Sequence, residues 1–244
     1  MKLKMALIAL ALVGCKDSAS PTPLNAMEPG QPMPADALVI DFEDQAEGTA
    51  PGGFTPAINR GQPGVWRIER VADAPSGALA VVQSDADRTN SRFPVMTYDA
   101  FEATDVDLSV RFQPVSGRVD QAAGLVWRYQ DANNYYVVRA NALEDNVVLY
   151  KMENGRRSDL PVRGRRGNTY GVDADVPDEG WGELRVTARG ALFEVYLGDR
   201  KLFEVEDSTF TGPGRVGVWT KADSVTRFDD LRIANLDVQQ GAGQ

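Results

Sequence analysis

The chain has 244 residues, one cysteine and no histidine, and its 26 basic and 35 acidic residues give a net charge of −9. A lone cysteine excludes an intramolecular disulfide. The lack of histidine removes the commonest general base near neutral pH and the commonest transition-metal ligand, which excludes histidine-dependent serine or cysteine triads. Without Lys2 and Lys4 the balance is −11 (24 − 35), a surface unsuited to nucleic acid, which is held through basic patches.

Residues 1–15 read MKLKMALIALALVGC. Two lysines precede an apolar run from Met5 to Val13, too short for a bilayer, which needs about 20 apolar residues. The segment therefore reads as a cleaved leader, with residues 1–14 as signal peptide. Leu12-Val13-Gly14-Cys15 is similar to the lipobox of bacterial lipoproteins. That resemblance implies lipidation at Cys15, a lipid-bilayer partner and a location in the cell envelope. Lys16 in place of aspartate after the cysteine implies the outer rather than the inner membrane in a Gram-negative cell. Residues 15–37 carry Pro21, Pro23, Pro29, Pro32 and Pro34 with no apolar period, the composition of a semi-extended tether.

From Leu38 onward short alternating runs recur between Gly, Asn, Asp and Pro. Strands are expected at 38–43, 65–70, 78–84, 95–98, 106–114, 123–129, 135–141, 147–152, 181–188, 192–197, 202–206, 215–220 and 226–233. Leu184, Val186 and Ala188 alternate with Glu183, Arg185 and Thr187, and Val106, Leu108, Val110 and Phe112 with Asp107, Ser109 and Arg111, so each run has an apolar and a polar face. Asn154-Gly155 suits a tight turn. Arg189-Gly190 and Gly198-Asp199 fold residues 181–206 into a three-strand meander. Residues 153–180 read as an irregular excursion around one short strand, and residues 235–244 as a polar, fraying tail. The fold class is all-β, an antiparallel two-sheet jelly-roll sandwich over residues 38–234, with a closed barrel as the lesser alternative.

Several stretches resemble the concanavalin A-like (laminin-G-like) superfamily, and more narrowly the 3-keto-disaccharide hydrolase domains related to family 16 glycoside hydrolases. They are Gly124-Leu125 with Arg128, Asp131 with Asn134-Tyr135-Tyr136, Arg139, Leu149-Tyr150-Lys151 before Asn154-Gly155, Phe228-Asp229-Asp230-Leu231, and the opening Asp41-Phe42-Glu43. The resemblance implies a jelly roll that lays sugars on its concave face. The paired glutamates of family 16 glucanases have no counterpart: Glu43-Asp44-Gln45-Ala46-Glu47 and Glu204-Val205-Glu206-Asp207 have the wrong spacing for two carboxyls about 5–5.5 Å apart.

Period two puts Tyr135, Val137, Arg139 and Asn141 on one face. Arg128, Lys151 and Arg185 are expected to join them if neighbouring strands pair in sequence. Guanidinium donors and tyrosine rings suit a glycan groove, and they equally suit a solvated sheet with cross-strand charge pairs. Asp41, Glu43 and Asp229, from the first and last strands, would suit a structural calcium ion or an edge charged against aggregation. Adjacent Asp229 and Asp230 alternate faces, so at most one joins such a site directly. Arg156, Arg157, Arg163, Arg165 and Arg166 form a basic island that reads as an anion contact or a solvated loop. Trp127, Trp181 and Trp219 read as core. Three functions stay open: a tethered carbohydrate-binding domain, a glycoside-cleaving enzyme with carboxylates from distant strands, and a non-catalytic envelope interaction module.

Overall fold

The computed structural model describes residues 31–167 and 169–237; Cys15, the leader, the tether up to residue 30 and the tail from 238 lie outside the described residues. Among the described residues sixteen strands form: β1 (Leu38–Ile40), β2 (Phe54–Ala57), β3 (Trp66–Arg70), β4 (Leu79–Gln83), β5 (Val95–Ala103), β6 (Val106–Ser116), β7 (Ala122–Asp131), β8 (Asn134–Asn141), β9 (Asn146–Glu153), β10 (Arg156–Asp159), β11 (Val172–Asp173), β12 (Gly182–Arg189), β13 (Leu192–Leu197), β14 (Arg200–Glu206), β15 (Gly214–Trp219) and β16 (Val225–Asn235). All thirteen expected strands form. The other three, β2, β10 and β11, are short edge strands whose Pro56, polar composition or two-residue length gives no alternation to read.

Two eight-stranded antiparallel sheets pack as a sandwich. Sheet A runs β14-β13-β12-β6-β16-β4-β3 with β1 paired to β16, and sheet B runs β10-β9-β8-β7-β15-β5-β2 with β11 paired to β9. First and last strands meet as expected, with Leu38 opposite Ile233. The meander is β12-β13-β14, closed at Gly190 and Gly198 in the left-handed region. The core between the sheets takes the inward residues of both, including Leu108, Val110 and Phe112 from β6, Leu184 and Val186 from β12, and Tyr136 and Val138 from β8. Phe193 of sheet A meets Trp127 and Tyr136 of sheet B at ring separations of 5.3 and 4.7 Å. That aromatic joint is worth about 3–5 kcal/mol per truncated ring.

Strands β7 and β8 are buried along both faces, whereas an antiparallel strand with a solvated side alternates in burial. Their second face, outward from the sandwich, carries its own cluster: Val126, Tyr129, Tyr135, Val137, Val148, Tyr150, Met152 and Trp219, with Phe93 from a loop. Gly124 makes room there, because a Cβ would come within 3.1 Å of the Trp219 ring and 2.8 Å of the Val138 carbonyl. Buried Arg92 holds the covering loops. Its Nε donates to the Gln62 carbonyl at 2.8 Å, Nη1 to the Ala222 carbonyl at 3.0 Å and Nη2 to the Pro63 carbonyl at 3.2 Å, and it pairs with Asp85.

The last residues of the tether lie on the other side of the molecule. Arg185 Nη1 donates to the Gln31 carbonyl at 2.6 Å, and Ser109 Oγ lies 3.9 Å from Met33 Sδ. The chain thus enters the sandwich across the outer face of sheet A.

Candidate functional site

The β8–β9 hairpin builds the site. Its register sets Arg139 opposite Val148 and Asn141 opposite Asn146, with Glu144 in the connecting turn. Arg139 is fully buried. Its Nη2 donates to Glu144 Oε2 at 2.8 Å and to Asn146 Oδ1 at 2.5 Å, and Nη1 lies 3.9 Å from Asp120 Oδ1. Nε and Nη1 make no hydrogen bond among the described residues. The guanidinium faces the Tyr150 and Tyr170 rings at 5.7 and 5.8 Å, and Tyr150 Oη donates to Tyr170 Oη at 2.6 Å.

Asp120, also fully buried, accepts from Asn141 Nδ2 at 2.8 Å and from Lys221. Asp223 shapes the loop that presents it, accepting the backbone N–H groups of Arg118, Val119 and Asp120 at 2.9, 3.0 and 3.2 Å. Burial pushes the Asp120 carboxyl above the usual aspartate range against the pull of Lys221 and Arg139. Burial acts the same way on Glu144, but Arg139 and Asn146 outweigh it and hold that carboxyl low. Glu144 and Tyr170 reach solvent, with the Glu144 side chain 38% exposed and Tyr170 49% exposed. The cluster is buried at its base and open at its rim, and alternates cations, carboxylates and amides beside two rings.

Of the six residues expected on one face, Tyr135, Arg139 and Asn141 lie together on the outer side of sheet B. Tyr135 packs against Tyr129 at 5.4 Å beneath Trp219 rather than lining an open groove, and burial raises its hydroxyl pKa. The other three correct the expected grouping. Arg128 sits in a bulge with φ 46°, which turns its side chain away. It is spent on the carbonyls of Thr104, Phe210 and Gly190 at 2.8, 2.7 and 2.6 Å and on Asp105 at 3.2 Å. Lys151 pairs across from Tyr136, so it lies on the opposite face of β9, bound to Thr209 Oγ1 at 2.6 Å and Asp207 at 3.3 Å. Arg185 is on sheet A, where it forms a two-pronged bridge to Asp107 at 2.7 and 2.6 Å. β6 and β12 neighbour each other in sheet A although β7–β11 lie between them in sequence, so pairing in sequence order failed there.

The proposed calcium ligands are also rearranged. Among the described residues no group of three or more His, Cys, Asp or Glu side chains is placed to hold a metal. Glu43 Oε1 accepts the N–H groups of Ala78 and Leu79 at 2.8 and 2.6 Å, and Asp41 Oδ1 accepts the Glu43 N–H at 3.2 Å. A bulge at Asp230, with φ 47°, lets both neighbouring aspartates reach Ser76: Asp229 accepts its N–H at 3.1 Å and Asp230 its hydroxyl at 2.7 Å. Strict alternation does not hold through that bulge. Burial, with Asp230 and Asp41 adding repulsion, pushes Asp229 up to about 7.

Residues the sequence reading missed are Asp120, Glu144, Asn146, Tyr170 and Lys221. Asn146 and Glu144 follow from carrying the hairpin register past Asn141. The other three come from loops that no periodicity reaches.

This geometry can be set beside known proteins. No family model matches the chain. A levanase of Bacillus subtilis (strain 168) is 32% identical over 100 residues, which is 40% of this chain and 13% of the levanase. The carbohydrate-binding module CBM66 from Bacillus subtilis superposes with a TM-score of 0.53 at 22% identity, over 73% of this chain and 93% of that one. Domain 4 of AbnA, a GH43 extracellular arabinanase from Geobacillus stearothermophilus in complex with arabinotriose, superposes with a TM-score of 0.51 at 16% identity, over 81% of this chain and 92% of that one. This chain shares their fold. The all-β sandwich expected from the sequence is thus also the fold of that module and of that arabinanase domain.

Proposed function

We propose that the protein is a membrane-tethered carbohydrate-binding module whose sugar site is the Arg139 cluster on the outer face of sheet B. The observation that carries this reading is Arg139 itself: a fully buried guanidinium with two unspent nitrogens, Nε and Nη1. A buried donor without a partner costs roughly 1–3 kcal/mol, and a ligand oxygen would recover it. Neighbouring sugar hydroxyls donate and accept together, which matches a cation beside the acceptors Asp120, Glu144 and Asn146. The half-exposed Tyr170 offers a ring for the apolar face of a pyranose or furanose. A carbohydrate-binding module among the structural neighbours supports the same class of ligand.

Binding is favoured over cleavage because the carboxylates are already committed: Asp120 to Lys221 and Asn141, Glu144 to Arg139 and Asn146. The tether and Cys15 supply the anchor in this reading. Gln31 and Met33, at the described end of the tether, lie against the outer face of sheet A, on the other side of the sandwich from the proposed site. A glycan array probed with the full chain tests the proposal. Saturable binding that Glu144→Ala and Tyr170→Ala each weaken about tenfold, or 1.4 kcal/mol, is expected. No retained sugar, or binding indifferent to both substitutions, would refute it.

A further inference from the structure

On the same outer face, one tyrosine away from Arg139, lies a cavity of about 380 Å³ lined by Asn59, Arg60, Ser91, Phe93, Arg156 and Arg157 with the turn glycine Gly155. Its lining includes three arginines and no acidic residue; Arg157 pairs with Met152 on the outer face, while Arg156 pairs with Glu153 and borders the cavity from the adjoining turn. None of the three arginines has an ion pair or a side-chain hydrogen bond among the described residues, while ten other arginines lie within 3.9 Å of a carboxylate oxygen. Arginines without an ion pair in a chain of net charge −9 make this lining locally positive, which favours an anion there.

The pocket is also preorganised. The Arg157 guanidinium is stacked between the Tyr150 ring at 4.4 Å and the Phe93 ring at 4.7 Å, and its Nη1 is buried without a hydrogen-bond partner. Planar stacking fixes its fork with little entropy left to lose. The turn before it is rigid. Asn154 and Gly155 have φ 52° and 74°, the paired positive values of a two-residue hairpin turn, and the Gly155 N–H donates to the Asn133 carbonyl at 3.0 Å. Tyr150 contacts Arg157 at 4.4 Å and Arg139 at 5.7 Å, so it separates the pocket from the sugar cluster by a single ring.

We infer that the Arg60–Arg157 pocket is an anion subsite that takes the carboxylate or sulfate group of an acidic saccharide whose sugar ring lies on the Arg139 cluster. The inference rests on the sugar-site reading and narrows it from glycans in general to acidic ones. The guanidiniums supply forked donors to the oxyanion, and Ser91 and Asn59 offer contacts for a neighbouring hydroxyl.

The test is a paired array probed with the full chain: alginate and polygalacturonate oligosaccharides beside their methyl-esterified forms, and sulfated galactan oligosaccharides beside their desulfated forms. At least one acidic member is expected to bind tenfold or more tighter than its neutral form. Carboxylate pairs and sulfate pairs separate the two kinds of anion. The double variant Arg60→Ser/Arg157→Ser should remove that preference and leave the neutral form unchanged. Arg165→Ser/Arg166→Ser, which takes two charges from the exposed loop outside the pocket, should leave it intact. Equal binding of both forms, no binding of any acidic member, or equal loss in the two double variants overturns the inference. Neutral forms bound through Glu144 without acid preference would sink the pocket and keep the sugar site. Binding abolished by the pocket variant yet untouched by Glu144→Ala would keep the pocket and sink the sugar site.

Discussion

The outer faces of the two sheets have the same backbone pattern and opposite chemistry. On sheet A, Arg111, Arg185 and Lys201 each meet a carboxylate from a neighbouring strand, Glu183, Asp107 and Glu194, and Lys201 also meets Glu204 of its own strand. On sheet B the outward residues are mostly apolar and aromatic. Arg139 and Arg157 lie against tyrosine rings there with nitrogens to spare. Charge that is paired across strands stabilises a sheet and asks for nothing further. Charge stacked on rings and left with open donors is what a polar ligand needs.

The largest expected effect that separates the faces is structural. Arg185→Ala leaves Asp107 buried without its partner and should cost about 3 kcal/mol in urea unfolding, with saccharide binding to the native protein unchanged. A loss of binding at matched stability would mean that sheet A takes part in recognition. Arg128→Ala belongs with it. Four hydrogen bonds tie that side chain to three carbonyls and Asp105, so a drop of about 3 kcal/mol is expected, again without a binding phenotype.

Smaller is Gly155→Ala. It places a side chain at φ 74°, 2.9 Å from Asn133 Oδ1, and should cost about 1 kcal/mol while loosening Arg156 and Arg157. Its signature is a weaker acidic ligand with the neutral form unaffected; equal weakening of both would detach the turn from the anion subsite.

A further effect, read by pH rather than by binding, is a stability slope from Asp229 in β16 of sheet A. In the folded chain this carboxyl holds its proton up to about pH 7 because it is buried, while the unfolded chain releases it near pH 4. The native state therefore binds more protons between those values, and stability falls as pH rises through that window. Asp229→Asn should flatten the urea midpoint between pH 4 and 7. An unchanged slope would remove Asp229 as its source.

The sequence carried the sandwich well because period two survives wherever one side of a strand faces the core, as at Leu184, Val186 and Ala188. Of the six residues expected on one face it kept three together. Tyr135, Arg139 and Asn141 share a face because alternation is local to β8. Arg128 left that face through a bulge, Lys151 through a hairpin register that pairs it with Tyr136, and Arg185 because strands distant in sequence pair in sheet A. Asp120, Tyr170 and Lys221 arrive on loops, where no repeat links residue number to direction. The basic island split in a similar way: Arg156 and Arg157 line a cavity, Arg163 pairs with Glu204 at 3.0 Å, and Arg165 and Arg166 are exposed.

Hydrogen–deuterium exchange on the full chain, with and without a saturating saccharide from the paired array, tests the central claim most directly. Slower exchange is expected in the 118–121 loop, the 139–150 hairpin and residues 219–223, with no change across β12 to β14. Slowing confined to sheet A, or none at saturation, would place recognition elsewhere on the molecule and contradict the account.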